Sequence, residues 1–239
     1  CSFRVSAAGF QENNLLSLSE DERQQDVIAA SAGNHGLAVA FHAQHLGIPG
    51  TIVMPRIAPL IKVPRARRYN AEVILEGDDF AAVLAHARQL QTERTQCFIP
   101  AFDDPAVIAS QRTLGLEIRE QVPDVQAIIV PVGGGGLISG MSVDLIESVA
   151  LSGAQARGIR IIGVKAERMP SMQAALRAPS LLSCPPASTL ADGIAVRRVG
   201  DLTLPLVQRD VDEVVTVKET EIAHAILLLL EDEKTVVEN

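Results

Sequence analysis

The sequence predicts an α/β protein built on a parallel, doubly wound sheet. Short β-branched apolar runs alternate with helix-like stretches along the chain, as at Val27–Ala30, Thr51–Met54 and Ala127–Val132. Of the 239 residues 47% are hydrophobic but only 3% aromatic, with no Trp, so the core is made of Ala, Val, Ile and Leu. That composition suits strands covered on both faces. Finally, Gly133-Gly134-Gly135-Gly136 separates an apolar run from a helical segment. Such a junction lies at the C-terminal end of a strand, where open α/β sheets bind ligands.

The elements follow in order. Ser19 and Glu22 have capping-box spacing, and Asp26 and Val27 follow closely enough to keep that helix short. Val27–Ala30 reads as a buried strand entering Ser31-Ala32-Gly33-Asn34-His35-Gly36, then an Ala-rich helix from Leu37 to Leu46 closed by Gly47. Thr51–Met54 is a strand, Pro59–Tyr69 a helix and Glu72–Leu75 a strand. Pro64 conflicts with that helix, because an interior proline costs about 3 kcal/mol; the helix either begins near Pro64 or kinks there. Asp78 or Asp79 caps a helix to Arg94, with Phe80, Val83, Leu84, Ala87 and Leu90 at inward spacing.

Cys97–Ile99 is a short strand, and Pro105 opens a helix to Gln121 in a position that tolerates proline. Beyond the glycine run and its helix (Leu137–Leu151) come a strand at Gly158–Val164 and a helix at Ser171–Arg177. A proline-rich loop at Ala178–Ser188, a strand at Glu213–Val217 and a helix at Glu219–Glu231 complete the pattern. In the last helix Ile222, Ala225, Ile226 and Leu229 are spaced to face inward.

Charge and cysteines narrow the function. The net charge of −8, with no long basic run, argues against a nucleic-acid partner, and Arg65, Arg67 and Arg68 read as a solvated helix face. Cys1, Cys97 and Cys184 are far apart and odd in number, which fits a reducing, cytoplasmic setting. Cys1 stands in place of an initiator Met, so targeting stays open. The longest apolar run, Ala225–Leu230, is far too short to span a membrane. No His, Cys, Asp and Glu group has metal-ligand spacing, so no metal is expected. A Gly-x-Ser-x-Gly elbow, a Gly-Lys-Ser after the glycine run and a dinucleotide-type Gly-x-Gly-x-x-Gly are all absent.

Two loops carry the chemistry. Four residues without Cβ atoms at a helix start can present N–H groups to a phosphate, although a plain flexible turn has the same composition. Ser31-Ala32-Gly33-Asn34-His35 offers a hydroxyl, an amide and an imidazole at another helix start, which suits a carboxylate. Asn34 can equally be an N-cap, and His35 a packing or capping histidine. Two anion sites suggest a phosphate-bearing cofactor and a carboxylate-bearing substrate.

Ser31–His35, Pro131–Gly140 and Ala191-Asp192-Gly193-Ile194-Ala195-Val196 resemble motifs of the threonine/serine dehydratases, fold-type II pyridoxal-phosphate enzymes. Val53-Met54-Pro55, Ile61-Lys62-Val63, Arg68-Tyr69 and Phe102-Asp103-Asp104-Pro105 match as well. The resemblance implies two open, doubly wound, mostly parallel sheets with flanking helices. A small domain would occupy residues 26–103, and a cofactor-binding domain residues 1–25 and 104–239. Pyridoxal 5'-phosphate is the implied cofactor, with Gly133, Gly134, Gly135, Gly136 and Leu137 on its phosphate and Asn34 on its 3'-oxygen. Ser31, Ala32, Gly33 and His35 would take the substrate carboxylate. The implied reaction is β-elimination of water from L-threonine or L-serine, giving an α-keto acid and ammonia, in a homo-oligomer.

Several positions depart from the family pattern. Its Ser-Phe-Lys motif supplies the Schiff-base lysine, whereas this chain reads Ser2-Phe3-Arg4. A guanidinium stays protonated and is no nucleophile, so non-covalent cofactor binding and impaired turnover are expected. Arg112 replaces a glycine, and Leu37 stands where Gln is usual. Ala32 replaces the second serine of serine racemases, favouring elimination, and Lys165 replaces an acidic residue of their metal site. The family segments before Ser2 and after Val237-Glu238 are not found, which reads as a fragment or partial gene before an evolved pseudoenzyme. The alternatives are a catalytically inactive homologue serving as a binding or oligomer-partner protein, and another β-replacing fold-type II enzyme.

Overall fold

A computed structural model describes residues 14–31, 33–56, 62–151, 158–178 and 183–237, with residues 147–151 described in backbone only. The chain divides into two compact units, residues 1–110 and 111–239.

The first unit holds a four-stranded parallel sheet in the order β3-β2-β1-β4. Its strands are β1 (Val27–Ala30), β2 (Gly50–Met54), β3 (Glu72–Leu75) and β4 (Cys97–Phe98). Every residue of β1 is buried, and successive residues face opposite ways. Val27 and Ala29 join Val39, Ala43 and Ile52 in one apolar cluster, while Ile28 and Ala30 join Val53, Val83 and Ala87 in another. Both faces of the sheet are thereby covered by helices, as the composition requires.

Local signals explain the helix ends. Ser19 and Glu22 close a capping box at the helix Glu20–Gln24. Gly47 ends Asn34–Leu46 at φ 70°, and Asp79 Oδ1 accepts the Ala82 N–H at 2.9 Å to start Phe80–Arg94. Asn34–Leu46 begins three residues earlier than its apolar pattern indicates, which places Asn34 and His35 on the helix. Pro64 is the third residue of Lys62–Arg68, and the expected start of that helix at Pro59 lies outside the described residues. Phe80 is exposed and Leu84 only half-buried; Val83, Ala87 and Leu90 form the inner face.

The second unit holds a three-stranded parallel sheet, β5-β6-β7. Its strands are β5 (Ala127–Pro131), β6 (Arg160–Ala166) and β7 (Glu213–Val217). β6 runs two residues beyond the expected end at Val164, which brings Lys165 into the ladder opposite Thr216. The helix Glu219–Glu231 contains no buried residue: Ile222 and Ile226 are half-buried, and Ala225 and Leu229 are exposed. Leu227 to Leu230 run right round the helix, and spacing alone shows which residues share a face, not whether another element covers it. Among the described residues no helix is long and apolar enough to cross a membrane.

Candidate functional site

The glycine loop lies in the second unit between β5 and the helix Gly136–Leu151. Val132 extends the ladder, its N–H donating to the Val164 carbonyl at 2.8 Å. From there the donors find nothing. Among the described residues, the N–H groups of Gly133, Gly134, Gly135, Gly136 and Leu137 have no acceptor, and Gly134, Gly135 and Gly136 are buried. Buried backbone donors are almost always paired, so a run of five without acceptors marks a place for an anion. Gly135 sits at φ 105°, and a Cβ there would lie 2.7 Å from Thr203 Oγ1 and 2.9 Å from Met172 Cε. That position requires glycine.

The carbonyl side of the loop is well supported. Thr203 Oγ1 donates to the Gly134 carbonyl at 2.7 Å, and the Gly200 N–H reaches the same oxygen at 3.3 Å. Buried Ser139 donates to the Thr203 carbonyl at 3.3 Å, tying the new helix to Thr203–Asp210. Lys165 is fully buried, and its Nζ donates to the carbonyls of Val132 (3.0 Å), Gly133 (3.2 Å) and Ile194 (3.0 Å). Burial lowers its pKa to about 8, against a smaller opposing pull from Cys184. A strand expected to end at Val164 leaves Lys165 outside the loop's surroundings, marked only as a departure from the racemase metal site. Its signal was parity, since Lys165 shares a strand face with buried Ile161 and Gly163.

The second loop lies in the first unit. Ser31 is buried, its N–H donates to the Val53 carbonyl at 2.9 Å, and its Oγ accepts the Gly33 N–H at 3.0 Å. Gly33 is the N-cap of Asn34–Leu46, so Asn34 is the first helical residue rather than the cap, and it is exposed. A Cβ on Gly33 would lie 3.7 Å from Lys62 Nζ, which places an ammonium over this turn. His35 Nε2 stands 3.1 Å from the Ile99 carbonyl and therefore carries the proton, leaving the enclosed Nδ1 without a partner. Burial lowers the His35 pKa to about 4, so the ring is neutral at pH 7. Its bond to Ile99 is what a packing histidine makes.

The structure thus gathers Gly133 to Leu137 at one strand-to-helix junction, and Ser31, Gly33, Asn34 and His35 at another. Arg4 and Ala32 lie outside the described residues. Arg112, the departure from the family glycine, lies 4.0 Å from Asp144, a buried carboxylate that Arg119 also approaches at 3.3 Å. Among the described residues, His, Cys, Asp and Glu side chains form no group able to hold a metal.

Residues 1–239 match the family described as pyridoxal-phosphate dependent enzymes. The chain is 50% identical over 237 residues to the L-threonine ammonia-lyase of Thermotoga maritima, covering 99% of this chain and 57% of that protein. It is 41% identical over 237 residues to the catabolic L-threonine dehydratase of Escherichia coli K12, covering 99% and 69%. Among solved structures, the processed form of threonine deaminase isoform 2 from Solanum lycopersicum superimposes with a TM-score of 0.89 at 35% identity, covering 97% of this chain and 62% of that one. The chain therefore spans little more than half the length of some of its relatives.

Replacing Gly135 by Ala should destabilise the protein by about 2 kcal/mol, because the residue is held at positive φ against Thr203 and Met172. Urea denaturation measures this, and an unchanged midpoint would mean that the loop can adopt another path. His35 has a folded pKa of about 4 against 6.5 for the ordinary group. The unfolded chain therefore binds the extra proton between those values, and stability is complete above pH 6.5 and lost as pH falls through about 4. His35→Gln should flatten that part of the stability profile, and equal acid sensitivity of the two proteins would show that His35 does not titrate this way.

Proposed function

The chain belongs to the pyridoxal-phosphate dependent enzymes, and on that premise we propose that it serves the β-elimination of water from L-threonine or L-serine, releasing an α-keto acid and ammonia. The observation that carries the reading is the run of N–H groups from Gly133 to Leu137 without acceptors, in a loop closed to any Cβ at Gly135. Phosphate oxygens fit those donors at a helix N-terminus. The named relatives act on threonine, which supports the substrate class.

When bound, the pyridine ring of the cofactor supplies an electron sink for charge developing at the substrate Cα. Gly133 to Leu137 would hold the phosphate, and Asn34 the 3'-oxygen. The Ser31–His35 turn would bind the substrate carboxylate, with the Lys62 ammonium adding positive charge beside Gly33. Neutral His35 braces the turn against Ile99 without bringing charge to it. Arg4 cannot bond covalently to the cofactor or exchange a proton at Cα, because its guanidinium stays protonated. The cofactor is then held without a covalent link, and turnover is low. The same reading assigns residues 26–103 to a small domain, residues 1–25 and 104–239 to the cofactor domain, and the assembly to a homo-oligomer.

A second reading rests on Arg4 alone: a catalytically inactive subunit assembled with an intact relative. Native mass spectrometry of the assembly purified from its own cells would show the mixed species. A β-replacing activity is disfavoured by Ala191–Val196, which resembles the dehydratases.

Purified protein should bind pyridoxal phosphate reversibly, with no adduct surviving borohydride reduction and peptide mapping. An adduct on any lysine would refute the non-covalent state. Arg4→Lys should give a trapped adduct at position 4 and raise α-keto acid release on the order of a hundredfold, the usual worth of a positioned acid–base group. No gain in release with the adduct present would count against the proposed reaction.

A further inference from the structure

Lys165 brings a full charge against the glycine loop, and no step of the proposed reaction uses it. Its three N–H donors meet three carbonyls, those of Val132, Gly133 and Ile194, and the side chain has no exposure to solvent. A neutral amine has only two such donors, so one contact depends on the charged form. A saturated ammonium is neither nucleophile nor base.

The direction of these bonds matters more than their number. In a planar trans peptide the carbonyl of one residue and the N–H of the next point in opposite directions. Holding the Val132 carbonyl on Nζ turns the Gly133 N–H away from Lys165, and holding the Gly133 carbonyl does the same for the Gly134 N–H. Thr203 Oγ1 on the Gly134 carbonyl orients the Gly135 N–H by the same geometry. Three consecutive donors without acceptors thus have the far side of their peptide planes fixed. Glycines, which have the widest choice of φ and ψ, need such external control.

We propose that Lys165 is a positioning residue of the anion site: its ammonium clamps the carbonyl edge of the glycine loop, aims the Gly133 and Gly134 N–H groups outward, and fastens the Ala191–Val196 segment to the loop. The functional half of this proposal rests on the loop being a phosphate cradle; the clamp itself does not. The uncharged Thr216 lies in register with Lys165 on β7, and Val132 and Ile194 contribute only their backbone. Cys184 is the ionisable group whose charge is felt at the ammonium, and as thiolate it favours the charged form; Asp192, in the Asp192–Ile194 turn, is exposed.

The pKa of about 8 gives two consequences of opposite sign. Anion affinity falls as pH rises through that value, because a donor and a charge are lost together. Stability of the ligand-free protein rises between about 8 and 10.5, because only the unfolded chain keeps the proton there.

The test measures dissociation constants of inorganic phosphate and pyridoxal phosphate at pH 7 and 9, together with amide hydrogen exchange of the ligand-free protein. At pH 7, Lys165→Met should bind both ligands about tenfold more weakly or worse, as expected for loss of a charged hydrogen-bond donor. It should also lack the additional pH 7-to-9 weakening of the unaltered protein, a comparison in which protonation of the phosphate itself cancels. Its Gly133 and Gly134 amides should exchange faster. Lys165→Arg, which stays charged, should keep its affinity at pH 9, and methylammonium should restore binding to Lys165→Ala by occupying the three carbonyls. Equal affinity and pH profile in the Met variant would overturn the proposal; if that variant does not fold, an Arg variant that weakens at pH 9 as the unaltered protein does would overturn it. If the unaltered protein binds neither ligand, the phosphate-cradle reading fails, and the clamp is judged by exchange alone: unchanged rates at Gly133 and Gly134 in the Ala variant, with and without methylammonium, would refute it.

Discussion

A strand that ends beside a helix start leaves backbone donors with nowhere to go, and most of what is distinctive in this chain follows from how that problem is handled at Gly133 to Leu137. Three other helix ends are closed by their own residues: Ser19 and Asp79 accept N–H groups, and Gly47 turns its helix off. At the glycine loop no side chain among the described residues caps the donors, while the carbonyls behind them receive Lys165 and Thr203. An unpaired buried N–H costs about 1–3 kcal/mol, so a row of them is retained only where a ligand repays it.

The parallel sheets put both candidate loops at the C-terminal ends of strands, one after β1 and one after β5. Within the first unit, Gly36 lets the helix sit close on β2, since a Cβ there would lie 2.8 Å from Ile52 Cγ2. Within the second, Thr203–Asp210 braces the glycine loop through Thr203. The two loops differ in electrostatic character. One carries a buried ammonium behind it, and the other a neutral histidine with a half-buried lysine over its turn.

Local chemistry was legible in the sequence. The capping box at Ser19, the Asp79 cap, the Gly47 stop and the strand spans of the first sheet follow from neighbours a few residues apart, and they form much as their residues dictate. The glycine loop was legible for the same reason. What was not legible lies far apart in the chain: the His35 bond to Ile99 spans 64 residues, and the Thr203 bond to Gly134 spans 69. Lys165 was half legible, since parity put it on a buried face but a strand end set at Val164 left it outside. The apolar spacing of Glu219–Glu231 misled because it reports a face and not its covering.

The claim on which the rest depends is that the N–H groups of Gly133 to Leu137 bind a phosphate. Amide chemical shifts of isotope-labelled protein report on those groups one at a time. Adding pyridoxal phosphate or inorganic phosphate should shift the amides of Gly133, Gly134, Gly135 and Gly136 downfield and saturably, while pyridoxal without its phosphate leaves them in place. Amides that do not move with either phosphate, or that move equally with pyridoxal, would contradict it.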